Sequence, residues 1–212
     1  MMKNILRILI LGAATLGLTL TQYGVQAQEA PDALVKRVTQ EVLDAAKSDK
    51  DIQAGNQKHV KQLVDEKIVP HVDFERMTSL AVGPDWNKAS SDQRQKLTNE
   101  FQALIIHTYS GALSNVKDQQ FTIKPMHAET GSNEVEVQSE ITQPHREPIQ
   151  LAYRLEKKAD GWKIFDFNVL GAWLVQTYKS TFTAEISKSG VDGLIKTLAD
   201  KNRTLANGSA KS

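Results

Sequence analysis

The chain has 212 residues, no Cys, and 26 Lys and Arg against 25 Asp and Glu, for a formal charge of +1. That balance gives no electrostatic case for nucleic acid. The missing Cys excludes disulfides, thiol nucleophiles and Cys-ligated metals together, so stability has to come from packing.

The first segment sets Lys3 and Arg7 ahead of an apolar stretch from Ile8 to Leu20, then places small residues at the cleavage positions of Val25-Gln26-Ala27. This is the three-part secretory pattern. The apolar stretch is 13 residues long, whereas a bilayer-crossing helix takes about 20. Residues 1–27 are therefore expected to be a signal peptide, residues 28–205 one domain and residues 206–212 a disordered tail. Removing 27 of the 212 residues leaves 185, enough for one sizeable core. Without Lys3 and Arg7 there are 24 basic residues against 25 acidic ones, a charge of −1. No Cys follows the cleavage point to carry a lipid, so the mature chain is expected to be soluble, in the periplasm or beyond it.

After Pro31, the spacing of Leu34, Val38, Val42 and Ala45 predicts a helix with one apolar face. A polar break from Ser48 to Asn56 precedes a second helical pattern, Val60, Leu63, Val64 and Ile68, which must end ahead of Pro70. Asp73 stands where an N-cap would, before Phe74, Met77 and Leu80, and Gly83-Pro84 closes that short helix. Ser90 and Gln93 form a capping box for the longest amphipathic pattern, with Leu97, Phe101, Leu104, Ile105, Thr108 and Ala112 on one stripe.

From Phe121 the period changes to two. Val135, Val137 and Ile141 alternate with polar residues, as do Ile149, Leu151, Tyr153 and Leu155. Turns at Gly131 to Asn133, Gln143 to Pro148 and Asp160-Gly161 divide Phe121 to Val169 into a four-stranded antiparallel meander. Its last strand, with Trp162, Ile164, Phe165, Phe167 and Val169, is apolar on both parities, so both faces should be covered. Two helices follow, one with Leu174, Tyr178, Phe182 and Ile186, the other with Leu194, Ile195 and Leu198. The order helices, sheet, helices predicts an α+β fold with helices wrapped around one curved four-stranded antiparallel sheet.

Catalytic signatures are missing from this pattern. His71 and Asp73, two apart, invite a metal or proton-relay reading, but a capping Asp73 is favoured by about twenty to one, and the other histidines are scattered. Asp166, between Phe165 and Phe167, is the best candidate for a general base. A structural role, bonded to backbone or to Arg76 or Arg154, is favoured about three to one because buried charges are usually paired. No serine has a Gly-x-Ser-x-Gly setting, and no loop resembles a phosphate cradle.

The run Ile68-Val69-Pro70-His71-Val72-Asp73-Phe74-Glu75-Arg76-Met77 strongly resembles the opening signature of the MlaC family, periplasmic phospholipid-binding proteins also called toluene-tolerance proteins. Phe101 to Leu113 is similar to the family's central helix. Trp162-Lys163-Ile164-Phe165-Asp166 resembles its Trp-Lys-Val-Tyr-Asp strand, and Tyr178 to Phe182 with Gly190 to Ile195 resembles its closing pattern. The chain departs from many members at Leu170-Gly171-Ala172-Trp173, where Glu-Gly-Val-Ser is common, and in having Lys179 for Arg.

The resemblance implies a monomeric carrier, without cofactor or metal, that encloses a glycerophospholipid's acyl chains in an apolar cavity. It would shuttle the lipid between an outer-membrane lipoprotein complex and an inner-membrane ABC transporter with a lipid-binding hexamer. The lining residues expected are Phe101, Leu104, Ile105, Tyr109, Val135, Val137, Ile141, Leu151, Tyr153, Leu155, Leu174 and Tyr178. Strand parity and the helical stripe select them. The alternatives are an enzyme on a similar helix-wrapped sheet with Asp166 as general base, and a periplasmic adaptor that holds no ligand.

Overall fold

The computed structural model describes residues 28–126 and 131–209; the expected signal peptide lies outside them. The N-terminal helices are α1 (Pro31–Ser48), a single turn α2 (Lys50–Gln53), α3 (Gln57–Lys67) and α4 (Phe74–Val82). The long α5 (Ser91–Tyr109) follows, then strands β1 (Gln120–Ile123), β2 (Glu134–Gln143), β3 (Arg146–Lys158), β4 (Gly161–Val169) and β5 (Ala172–Trp173), and finally α6 (Leu174–Ser209). None of the described helices is long and apolar enough to cross a membrane.

The helix boundaries follow from capping and backbone chemistry. The Asp73 side chain accepts from the Arg76 N–H at 2.8 Å and caps α4. Ser90 and Gln93 close the capping box of α5 in both directions, at 3.2 and 3.0 Å. Pro70 cuts α3 short, and Val69–His71 forms a single 3-10 turn. Inside α6, Gly190 adopts φ 72° and breaks the segment into the two helices expected. The helix reaches Ser209, inside the stretch read as a tail.

Three local expectations need correction. Leu80 is 39 % exposed, because the buried face of α4 runs through Phe74, Met77, Thr78 and Ala81 instead. Ala112 is also exposed, since α5 tightens at Ser110 into a 3-10 turn that rotates the stripe away from the core. The third concerns the β2–β3 turn, which is shorter than read, and β3 begins at Arg146. Pro148 therefore lies in a strand, but at a register shift and beyond the end of β4, where its missing N–H interrupts no ladder.

All five strands form one antiparallel sheet in sequence order, one strand more than expected. The extra strand exists because Leu170 and Gly171, both at positive φ, make a two-residue turn that folds Ala172–Trp173 back onto Asn168–Val169. The rest of that edge of β4 is covered by Val72, which bridges Ile164 while the Asp73 N–H donates to the Ile164 carbonyl at 2.7 Å. A bulge at Phe165 shifts the register of β4 against β3, so Ile164, Phe165 and Asp166 are buried in succession. This is the physical origin of a strand apolar on both parities. Phe165 faces outward under the Arg76 guanidinium, 3.9 Å from its ring centroid.

The inner face of the sheet packs against helices through Val137, Tyr153, Leu155 and Ile164, which join α1, α4, α5 and α6 in one large apolar cluster. Phe101 is its hub, with Tyr178 and Phe182 edge-on, each at a centroid distance of 5.0 Å. A second, smaller cluster joins the end of α1 to α2, α3 and Val116. Ile68 and Phe121 pack against both, and the seam between the clusters positions the site.

Candidate functional site: an apolar pocket at the seam of two cores

A pocket of about 190 Å³ opens at that seam. Val64 of α3 and Ile68 just past its end, with Leu113 of the turn after α5, form one side. Phe74, Ile105, Ile106, Tyr109, Ser110 and Leu174 form the other, and Phe167 and Val169 of β4 supply the sheet wall. No charged residue lines it, and its polar atoms come only from Tyr109, Ser110 and backbone. A wider polar groove of about 880 Å³ lies at the other end of β4, around Glu29, Arg37, His71, Lys158, Asp160 and Lys163. We assign the site to the apolar pocket despite its smaller size, because the groove's charges already satisfy one another. Glu29 grips Arg37 through two 2.8 Å bonds, Asp160 holds Lys163 at 3.0 Å, and Asp73 meets Lys158 at 3.1 Å.

Of the residues expected to line a cavity, Ile105, Tyr109 and Leu174 line this pocket. Tyr178 does not line it but packs against Phe101 and Phe182, and burial, with Tyr109 nearby, pushes its phenol pKa upward. Phe101, Leu104, Val137 and Leu155 are at most 1 % exposed and pack in the large cluster beside Tyr153, with Val135 and Leu151 against it. Burial likewise pushes the Tyr153 phenol up, opposed by the hydroxyls of Ser139 and Thr39. Ile141 is half-buried at the β1 edge of the sheet, opposite Phe121.

Eight lining residues escaped the sequence reading: Val64, Ile68, Phe74, Ile106, Ser110, Leu113, Phe167 and Val169. Phe167 and Val169 carried a usable signal, because they share the parity that pairs them with Tyr153 and Leu151. The α3 contribution carried none, as it depends on how Pro70 turns the chain.

The two candidate chemical centres resolve as structural. His71 and Asp73 do not converge on a ligand, because Asp73 caps α4 and His71 faces Arg37 and Lys163. Elsewhere, His59 meets Asp49 at 3.1 Å and Asp51 at 3.6 Å, where Asp49 also caps α2. Asp166, 1 % exposed, points away from the pocket. One of its oxygens accepts from the N–H groups of Phe167 at 2.9 Å and Val175 at 3.0 Å, so it caps the first turn of α6 from a neighbouring strand. The other lies 3.5 Å from Arg154, whose guanidinium stacks 3.8 Å above the Trp173 ring. Burial raises its pKa, and the backbone bonds and Arg154 oppose that rise.

The fold and the sequence are shared with known proteins. A phospholipid-binding protein from Ralstonia solanacearum, solved in complex with a phospholipid, shares the fold with a TM-score of 0.79 at 43 % identity, covering 82 % of this chain and 98 % of that one. The intermembrane phospholipid transport system binding protein MlaC of Haemophilus influenzae is 28 % identical over 155 residues, 68 % of this chain and 72 % of that protein. Toluene tolerance protein ttg2D of Pseudomonas putida is 25 % identical over 167 residues, 78 % of this chain and 77 % of that protein. The family described as MlaC protein matches residues 36–200, which take in every residue that lines the pocket, and so the chain belongs to the MlaC family.

Proposed function

We propose that this protein is a periplasmic carrier that binds a glycerophospholipid by its acyl chains and shuttles it between outer and inner membrane, maintaining outer-membrane lipid asymmetry. Its partners would be an outer-membrane lipoprotein complex and an inner-membrane ABC transporter bearing a lipid-binding hexamer. The observation that carries the reading is the uncharged pocket wall, in a fold shared with a protein solved with phospholipid at 43 % identity. Each methylene removed from water is worth about 0.8 kcal/mol, so a carrier must enclose the chains while the polar head stays hydrated.

Ligand pockets commonly measure about 300–1,000 Å³, more than the 190 Å³ at the seam, so admitting a whole acyl chain requires the wall to part. The division into two apolar clusters supplies the place to yield, since α3 packs chiefly on α1, α2 and the two neighbouring 3-10 turns rather than on the sheet. A carrier needs no reaction, and the capping role of Asp166 favours it over the enzyme alternative. Mass spectrometry of an organic extract of the purified protein should find diacyl phospholipid near one per chain, with head groups following the host's supply. An extract free of lipid would overturn the proposal and favour an adaptor.

A further inference from the structure

The pocket wall changes character within one step of α5. It is aliphatic at Ile105 and Ile106 and polar at Tyr109 and Ser110. Thr108, next to Tyr109 in the chain, donates its proton to the Leu104 carbonyl at 2.7 Å. Tyr109 is part of the pocket wall yet 38 % exposed.

A diacyl phospholipid changes polarity in the same order. Its chain ends at a neutral ester carbonyl, and the charged phosphate lies further out. The wall offers no Lys or Arg to a phosphate. A phenol O–H is a neutral donor that turns freely to meet a neutral carbonyl, and a carbonyl left unpaired against an apolar wall is costly. On the carrier reading, we infer that Tyr109 donates a hydrogen bond to an acyl-ester carbonyl of the bound lipid, which sets the depth of the chain and selects ester-linked lipids over ether-linked ones.

The test is competitive loading. Purified protein is incubated with vesicles holding equal amounts of a diester phosphatidylcholine and its diether analogue of the same chain length, then re-isolated and its lipid quantified. Wild type should hold roughly two- to tenfold more diester than diether, the range one neutral hydrogen bond supplies. Tyr109→Phe, which keeps the ring, should show no preference, its diester loading falling to the level of the diether. If wild type holds both lipids in the vesicle ratio, or Tyr109→Phe keeps the preference, the inference fails while the carrier reading stands. If wild type captures neither lipid, the carrier reading fails as well.

Discussion

The pocket is tested most directly by replacing Ile106 with Trp. Ile106 is half-buried and lines the pocket, whereas Leu104, half a turn back on α5, is 1 % exposed in the large cluster. An apolar cavity of about 150 Å³ accepts a benzene molecule. A pocket of about 190 Å³ therefore has room for the ring that Trp adds, and Ile106→Trp should cost less than about 1 kcal/mol of stability, the scale of a tolerated core swap. Leu104→Trp meets an interior at crystal-like density and should cost about 1–3 kcal/mol or more. The same indole competes with an acyl chain. Displacing three methylenes at about 0.8 kcal/mol each removes about 2.4 kcal/mol, roughly a fiftyfold loss of lipid affinity. Urea unfolding of delipidated proteins measures the first quantity, and it must be delipidated because bound lipid stabilises the folded state by mass action. Lipid per chain after purification measures the second. If Ile106→Trp unfolds as readily as Leu104→Trp, or keeps wild-type lipid, the pocket is not where the chains go.

Asp166 and Leu170 give two further outcomes. Asp166→Ala leaves the part-buried N–H groups of Phe167 and Val175 without its carboxylate and should cost about 1–3 kcal/mol in denaturation, with lipid transfer by the folded protein intact; abolished transfer would restore the enzyme reading. Because burial raises the Asp166 pKa, the folded state binds its proton more readily than the unfolded chain. Its contribution to stability is therefore greatest below the unfolded pKa and declines as pH rises through the folded one. Asp166→Asn, which does not titrate, should gain on wild type over that interval in unfolding curves taken across pH, and a gap that widens in the opposite sense contradicts the assignment. Leu170 sits at φ 53°, 72 % exposed, ahead of Gly171 at φ 87°. Asn-Gly suits such a turn, so Leu170→Asn should stabilise by about 1 kcal/mol, the cost of left-handed backbone for an ordinary residue. An unchanged or lower urea midpoint would refute it.

Helix limits, caps and strand parity were legible because each is decided within a few residues. Asp73, Ser90 with Gln93, and Pro70 act on backbone groups one to four positions away, and the structure keeps all three boundaries. What escaped depended on distant contacts. The alternation around Ile164, Phe165 and Asp166 is broken by a bulge, and its composition shows only that the strand is covered, not by what. The fifth strand was hidden because Leu170-Gly171 is an unusual sequence for a two-residue turn, with a bulky apolar side chain where Asn is favoured.

The pocket was less legible than the fold for a related reason. Choosing the inward set of the sheet and one helical stripe finds residues that are buried, but burial is strongest where packing is complete, and there no room remains for a ligand. Val137 and Leu155 satisfy the pattern best and are wholly enclosed. Part of the pocket lining instead sits where two apolar sets meet imperfectly, at half-buried Ile68, Ile106, Phe167 and Val169. Such a seam needs two clusters, and the second is assembled from α1, α2 and α3 across the polar interval at Ser48 to Asn56. That interval, read as a simple break, is what lets α3 fold back on α1. The turn at Pro70 then carries the chain to Phe74 on the other wall of the pocket. A search confined to the most periodic apolar positions therefore converges on the large cluster, whereas the pocket is lined by residues drawn from two cores at once.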